Sequence, residues 1–161
     1  MKVKIYSSQM VLGELRAFVY KRKLTALSQY YSECFFPTLE RDQKEIVERV
    51  HAFHDALEKV LASSMESYII DLVVHVDHPE EAKHSSGVTL VELNPWSDQT
   101  GSALFSRDAD CSILLGESPF EFRFRTEAPP LRAGGSWQAL ICQAKTPAHP
   151  TVVEDKPCLV M

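Results

Sequence analysis

Glu92 and Asn94 stand two residues apart in VELNP. In an extended chain both side chains leave the same face, with Val91 and Leu93 on the other. Asp71 is set between apolar triplets in YIIDLVV, and a carboxylate in such a setting is costly unless something compensates its charge. Two carboxylates and an amide oxygen on paired strands form a hard-oxygen set suited to Mg²⁺, which keeps several waters and is bridged by the phosphates of a nucleotide. Taken singly, these residues have plainer explanations. A lone acid in a strand is more often an edge residue or the partner of an arginine, and a Glu and an Asn with one residue between them recur often by chance.

The elements that must position these residues can be read from periodicity. Residues 2–6 (KVKIY) suit a strand, and ELRAFVYKRKLTALSQY, residues 14–30, reads as a hairpin turning at Lys21 to Lys23. Alternation puts Leu15, Ala17 and Val19 on one face and Glu14, Arg16, Phe18 and Tyr20 on the other. A single long helix is expected over TLERDQKEIVERVHAFHDALEKVLAS, with Thr38 as its N-cap. Ile46, Val47, Val50, Phe53, Leu57, Val60 and Leu61 recur there at helical spacing. MESYIIDLVVHV is a β-branched strand in the interior of a sheet, and VTLVELNP, which opens with five residues that fit a buried strand, returns antiparallel to it. The intervening loop of about ten polar residues is too short for a helical crossover. SPFEFRFRTE, residues 118–127, alternates as one more strand, and the Pro-rich stretch after residue 145 reads as a mobile tail. The predicted architecture is α+β: an antiparallel or mixed sheet with one long packed helix. It is divided into a lobe over residues 1–127, an extension packed on it over 128–145 and a tail over 146–161.

A chain of 161 residues has room for one core of ordinary size. With 45% hydrophobic and 24% charged residues the composition is globular, and no apolar run is long enough to cross a bilayer. A cytoplasmic location is the default reading. A formal net charge of -5 disfavours a nucleic-acid partner, because gripping phosphate backbones rests on clustered Lys and Arg. Cys34, Cys111, Cys142 and Cys158 are too widely spaced for a zinc motif, and the first three are expected to be reduced and at least partly buried. His51 and His54 on the helix form an i, i+3 pair of the kind usually found at a surface.

The ordered set ELRAFVYKRKLTALSQY, amphipathic helix, YIIDLVV, VELNPWSDQTGSALFS and FEFR resembles the cell-division-cycle 123 family of ATP-grasp proteins. That family's pattern is an R-x-F-V hairpin ending in I-S-Q, a strand with one internal Asp, and D-F-N-P-F running into L-L-F-S-W. The resemblance covers roughly residues 2–125. It implies the C-terminal lobe of an ATP-grasp fold in a divergent or truncated member. It also implies that Asp71, Glu92 and Asn94 hold Mg²⁺, that Arg16 faces the phosphates of ATP, that Lys4 is a further basic contact, and that Gln29, with Ser28, lines the cleft. Glu92 stands where the family has Asp, Trp96 where Phe is common, and Arg107 where Trp follows LFS. The resemblance places Met1 at the start of the second lobe, without the adenine-binding strand and basic residues of the first.

The implied function is that of an ATP- and Mg²⁺-dependent assembly chaperone whose protein partner is a subunit of translation initiation factor 2. Two other readings remain open at this point: an ATP-dependent carboxylate-amine (peptide) ligase using the same cation site, and a nucleotide-free interaction module. Separately, Cys158-Leu159-Val160-Met161 fits the C-a-a-X prenylation pattern, with Met favouring farnesyl. Membrane association would follow only from that lipid, and the tail carries Glu154 and Asp155 rather than the polybasic run that usually supports a single chain.

Overall fold

The computed structural model describes residues 14–61, 64–76 and 86–127. Lys4, Cys142, Cys158 and the divisions at 128–145 and 146–161 lie outside the described residues, as does the strand expected at 2–6.

The expected hairpin is present as β1 (Glu14–Tyr20) and β2 (Lys23–Gln29), antiparallel and joined by Lys21 and Arg22. Both turn residues have positive φ, 48° and 66°. Such a two-residue turn matches the right-handed twist of the strands it joins. Neither residue is the Gly or Asn that adopts this conformation cheaply, and the turn is held from outside. The Lys21 amide donates to Ser67 Oγ at 3.0 Å and the Arg22 amide to the Glu66 carbonyl at 2.7 Å.

The chain then forms two helices where one was expected: α1 (Pro37–Arg41) and α2 (Gln43–Leu61). Phe36, not Thr38, is the N-cap of α1, with Pro37 in the first turn, where its missing N–H is no loss. The break falls at Asp42, whose carbonyl receives the Ile46 amide at 2.9 Å while its carboxylate pairs with Arg41. Along α2, Ile46, Val50, Phe53 and His54 are buried. Val60 is not part of this stripe and is 74% exposed, because a residue next to Leu61 is rotated by about 100° from it.

After α2 come β3 (Tyr68–Val74), β4 (Val88–Pro95), a short helix α3 (Cys111–Leu114) and β5 (Glu121–Arg123). They complete a five-stranded sheet in the order β4-β3-β1-β2-β5. All pairs are antiparallel except β2 with β5, which are parallel. The fold is therefore α+β with a mixed sheet, as expected. The strand expected over 118–127 is three residues long.

Both faces of the sheet are covered. Leu15, Ala17, Val19, Ile70 and Leu72 pack on Ile46, Val50 and Phe53 of α2, and Phe18, Ala26 and Ile69 meet Phe105 and Leu114 on the opposite side, with Trp96 and Ile113 beside them. The alternation expected for β1 is thus realised, with a core against each face. This double cover explains why every residue of β3 is buried, Asp71 included. β4 departs from expectation. It is an edge strand among the described residues, and Leu90, Val91 and Leu93 are 41%, 50% and 37% exposed.

Candidate functional site

The site is a row of side chains running across the sheet. In register, Ser28 of β2 lies opposite Arg16 of β1, Arg16 opposite Asp71 of β3, and Asp71 opposite Glu92 of β4. Neighbouring strands are ~4.8 Å apart, so partners in such a row lean on one another. The next row along is Ala26, Phe18, Ile69 and Asn94. Three of these belong to the second core, so the polar row borders an apolar one on the same face.

A β-bulge puts Glu92 in this row. Leu72 pairs with Leu90 while Asp71 pairs with Glu92, which leaves Val91 as the extra residue. Strand side chains alternate with period two, so if the same residues paired without a bulge Val91 would oppose Asp71 and Glu92 would turn to the helix-covered face. The bulge resets the parity and brings Glu92 and Asn94 to Asp71.

Asp71 is 1% exposed and its charge is matched by Arg16, itself 9% exposed. Arg16 Nε donates to Asp71 Oδ1 and Nη2 to Oδ2, both at 2.8 Å, a fork of two parallel bonds. Asn94 Nδ2 donates to Asp71 Oδ2 at 3.1 Å. The third guanidinium nitrogen, Nη1, donates to the Gly101 carbonyl at 2.6 Å. The guanidinium carbon lies 4.9 Å from the centre of the Tyr30 ring, within cation-π range. Hydrogen bonding to Asp71 raises the Arg16 pKa above its usual value, with Glu92 adding to the effect. Burial raises that of Tyr30, against the opposing influence of Arg16. The residues named for the cation thus come together on one face. Asp71 has its carboxylate engaged by Arg16, whereas Glu92 is exposed and accepts no hydrogen bond among the described residues.

Gln29 does a different job from lining a cleft. It is fully buried, its Nε2 donates to the carbonyls of Tyr31 at 2.5 Å and Cys34 at 2.8 Å, and its Oε1 accepts from the Arg125 amide at 2.7 Å. With no exposed surface left for a ligand, it ties the end of β2 to the following loop and to the chain leaving β5.

Sequence reasoning overlooked the loop that covers the row. Gly101 reaches Arg16, and the Leu104 amide donates to Ser28 Oγ at 3.1 Å. Arg107 braces this loop from within, donating from Nη2 to the carbonyls of Ser97 at 2.6 Å and Thr100 at 2.8 Å. The Arg noted only as a departure from the family's Trp is therefore a staple. Tyr30 was missed although it follows Gln29 directly, and Arg123 although it sits in FEFR. Arg123 forks onto both oxygens of Asp110 at 2.7 Å, and its guanidinium lies 4.2 Å from the Phe105 ring centre. Beyond this pair, a cavity of about 370 Å³ is lined by Leu104, Arg123, Phe124, Arg125, Thr126 and Glu127.

The histidines and cysteines also differ from expectation. His54 is buried on α2 and its Nε2 has no hydrogen-bond partner, although Glu58 Oε1 is 3.9 Å away. Its ring replaces an apolar residue on the buried stripe. His75 is buried as well, with Nε2 3.0 Å from Thr89 Oγ1. Cys34 is disulfide-bonded, and Cys111 is an exposed free thiol. Among the described residues no three His, Cys, Asp or Glu side chains cluster as metal ligands, and no helix is long and apolar enough to cross a membrane.

A five-stranded mixed sheet with α1 and α2 on one face and, on the other, α3 and a braced loop over an Arg-Asp pair defines an α+β lobe with a polar row at its edge. The D123 family model matches residues 3–126, and the chain belongs to this family, that of the cell-division-cycle 123 proteins. Two solved structures share the fold. Cdc123 from Schizosaccharomyces pombe superposes with a TM-score of 0.55 at 17% identity, and a C-terminally truncated form of it with 0.53 at 19%. In each case 75% of this chain and 42% of that chain are covered, so the chain spans less than half the length of these relatives. No curated protein sequence matches.

Proposed function

We propose that this chain supplies the cation- and phosphate-facing side of an ATP-grasp-like nucleotide site, and that its work is the assembly of a protein complex, with a subunit of translation initiation factor 2 as partner. The observation that carries the reading is the bulge at Val91, which turns Glu92 and Asn94 toward Asp71 on the face where Arg16 also lies. A strand register has no need of this irregularity for packing, since it leaves Leu90, Val91 and Leu93 exposed. It does serve to collect hard oxygens.

The donor set fits Mg²⁺ by chemistry: two carboxylates opposite each other and an amide whose nitrogen is committed to Asp71, leaving its oxygen as the free end. Glu92 and Asn94 are the residues free to hold the ion, and Asp71 is the third once Arg16 gives way. The ion would supply charge neutralisation for the phosphates of ATP. What the chain itself contributes is orientation. Arg16 offers planar donors matched to phosphate oxygens, and the Gly101 carbonyl and the Tyr30 ring hold that plane.

The test is titration of the chain with ATP and Mg²⁺, followed through Trp96 fluorescence and calorimetry. Saturable binding that needs both components and is lost in Glu92→Gln supports the reading. Binding of ATP that ignores both the metal and this substitution overturns it. Capture of an initiation factor 2 subunit without turnover would then favour the chaperone role, whereas ADP release that depends on an added amino acid or peptide would favour a carboxylate-amine ligase.

A further inference from the structure

Asp71 cannot be held by a guanidinium fork and serve a divalent cation with the same two oxygens. Both oxygens accept from Arg16 at 2.8 Å, a third hydrogen bond comes from Asn94, and the carboxylate is 1% exposed. Arg16 therefore already occupies the edge of Asp71 that a cation would take. We propose that Arg16 is an internal competitor for that cation, so that cation binding at Asp71, Glu92 and Asn94 expels the guanidinium and, through Gly101, releases the loop over the site. The inference rests on reading the row as a cation site and adds the regulation of that site.

The consequences follow from what Arg16 touches. Its Nη1 is the link to the Gly101 carbonyl at 2.6 Å, and its plane lies against Tyr30. A dication beside Asp71 repels the guanidinium and offers the carboxylate twice the charge. Once Arg16 leaves Asp71, the fork that held a carboxylate is free to take a phosphate, whose oxygens it matches equally well. Cation and phosphate would then help each other, since each removes a partner that the other would have to displace, and such a coupling is reciprocal. The same competition predicts that a cation alone binds weakly to the resting protein.

The geometry supplies two independent ways to loosen the competitor. Arg16→Gln removes the charge and the fork. Gly101→Ala leaves Arg16 in place but sets a Cβ 3.3 Å from Arg16 Nη1, which pushes the guanidinium away from its anchor.

Mn²⁺ alone is the probe, its free concentration read by electron paramagnetic resonance on the full chain with no nucleotide present. Arg16→Gln should bind Mn²⁺ at least about tenfold more tightly than the unaltered protein, and Gly101→Ala several-fold more tightly, within the range usual for coupled sites. Because Arg16→Gln leaves Asp71 buried without its counter-charge, Mg²⁺ should also raise the melting temperature of that variant by more than it raises that of the parent. Equal Mn²⁺ affinity in all three proteins overturns the competition while leaving the cation site standing. Absence of Mn²⁺ binding in all three, with Gly101→Ala folded, overturns the cation reading itself.

Discussion

Removing Asp71 should damage the fold before it says anything about a ligand. Among the described residues the carboxylate is the only anion bonded to Arg16, and both are largely withdrawn from water. Asp71→Ala leaves a guanidinium buried beside Tyr30 with the Gly101 carbonyl as its one remaining acceptor among the described residues. Breaking a buried, hydrogen-bonded pair by removing one partner costs ~3–5 kcal/mol, a fifth or more of the ~5–15 kcal/mol that keeps a domain folded. For a chain of this size that is a fall of about 6–20 °C in melting temperature. With a urea slope of ~2 kcal/mol/M the midpoint would fall by ~1.5–2.5 M. Arg16→Met should cost a similar amount, now with the carboxylate stranded. The double variant Asp71→Leu/Arg16→Met should recover most of the loss, because replacing both charges by apolar groups of similar volume is often neutral. Urea unfolding of the four proteins, followed by Trp96 fluorescence against Phe18 and Tyr20, gives the coupling energy, expected to be at least ~2 kcal/mol. Single variants that each cost under about 1 kcal/mol and simply add would refute the argument. Glu92→Gln is the cleaner probe of ligand binding, because Glu92 is exposed and carries no hydrogen bond of the fold.

Gln29→Ala should destabilise the protein by ~2–4 kcal/mol in the same assay, since two carbonyls and one amide lose a buried partner together. Val60→Ser, by contrast, should stay within ~0.5 kcal/mol of the parent, being on the solvated side of α2. Burial, with His54 nearby, holds the His51 pKa below its ordinary 6.5. Below that pH the unfolded chain takes up protons that the folded one refuses, so stability falls with acid from about pH 6.5 downward until the folded pKa is passed, and His51→Gln should flatten that slope in pH-dependent urea titrations. Asp110 is the acidic counterpart, its carboxyl held below the usual 3.8 first by Arg123 and then by the Ser106 amide. Its contribution is present above pH 3.8 and is lost as acid protonates it, and Asp110→Asn should remove that step from the acid-unfolding curve.

Much of the fold was legible because it rests on local periodicity. Alternation in residues 14–20 placed Leu15, Ala17 and Val19 opposite Arg16 and Phe18, and the hairpin, the interior strand and its antiparallel return are where the pattern put them. The break at Asp42 was not legible, because residues 38–61 keep a helix-favouring pattern through it and only Pro37 fixes where the first turn begins. The exposure of β4 was misread for a different reason. An apolar run such as VTLVEL signals burial only if another layer reaches it, and strand order, which sequence does not encode locally, put this one at the edge. The same limit hid the charge partner of Asp71. An isolated carboxylate in an apolar strand calls for a partner, and arginine is the usual one, but no local pattern reports which two strands are neighbours. The register of β1 against β3 settles that Arg16 and Asp71 face each other.

The bulge at Val91 sets which face of β4 carries Glu92, and deleting that residue tests whether the facing or the bulge itself matters to the fold. With Val91 removed, Glu92 follows Leu90 directly, and the ladder closes with Leu90 opposite Leu72, Glu92 opposite Asp71, Leu93 opposite Ile70 and Asn94 opposite Ile69. Regular alternation then keeps Glu92 and Asn94 on the face of Asp71, and only the local bend and added twist of the bulge are lost. The deletion should therefore leave the urea midpoint close to that of Val91→Ala, which keeps the residue count and should change stability little because Val91 is half exposed. A midpoint for the deletion well below that of the alanine variant would mean that β4 cannot close on β3 without the extra residue. That outcome would refute the reading of Val91 as a spacer whose effect is to set the face that Glu92 and Asn94 take.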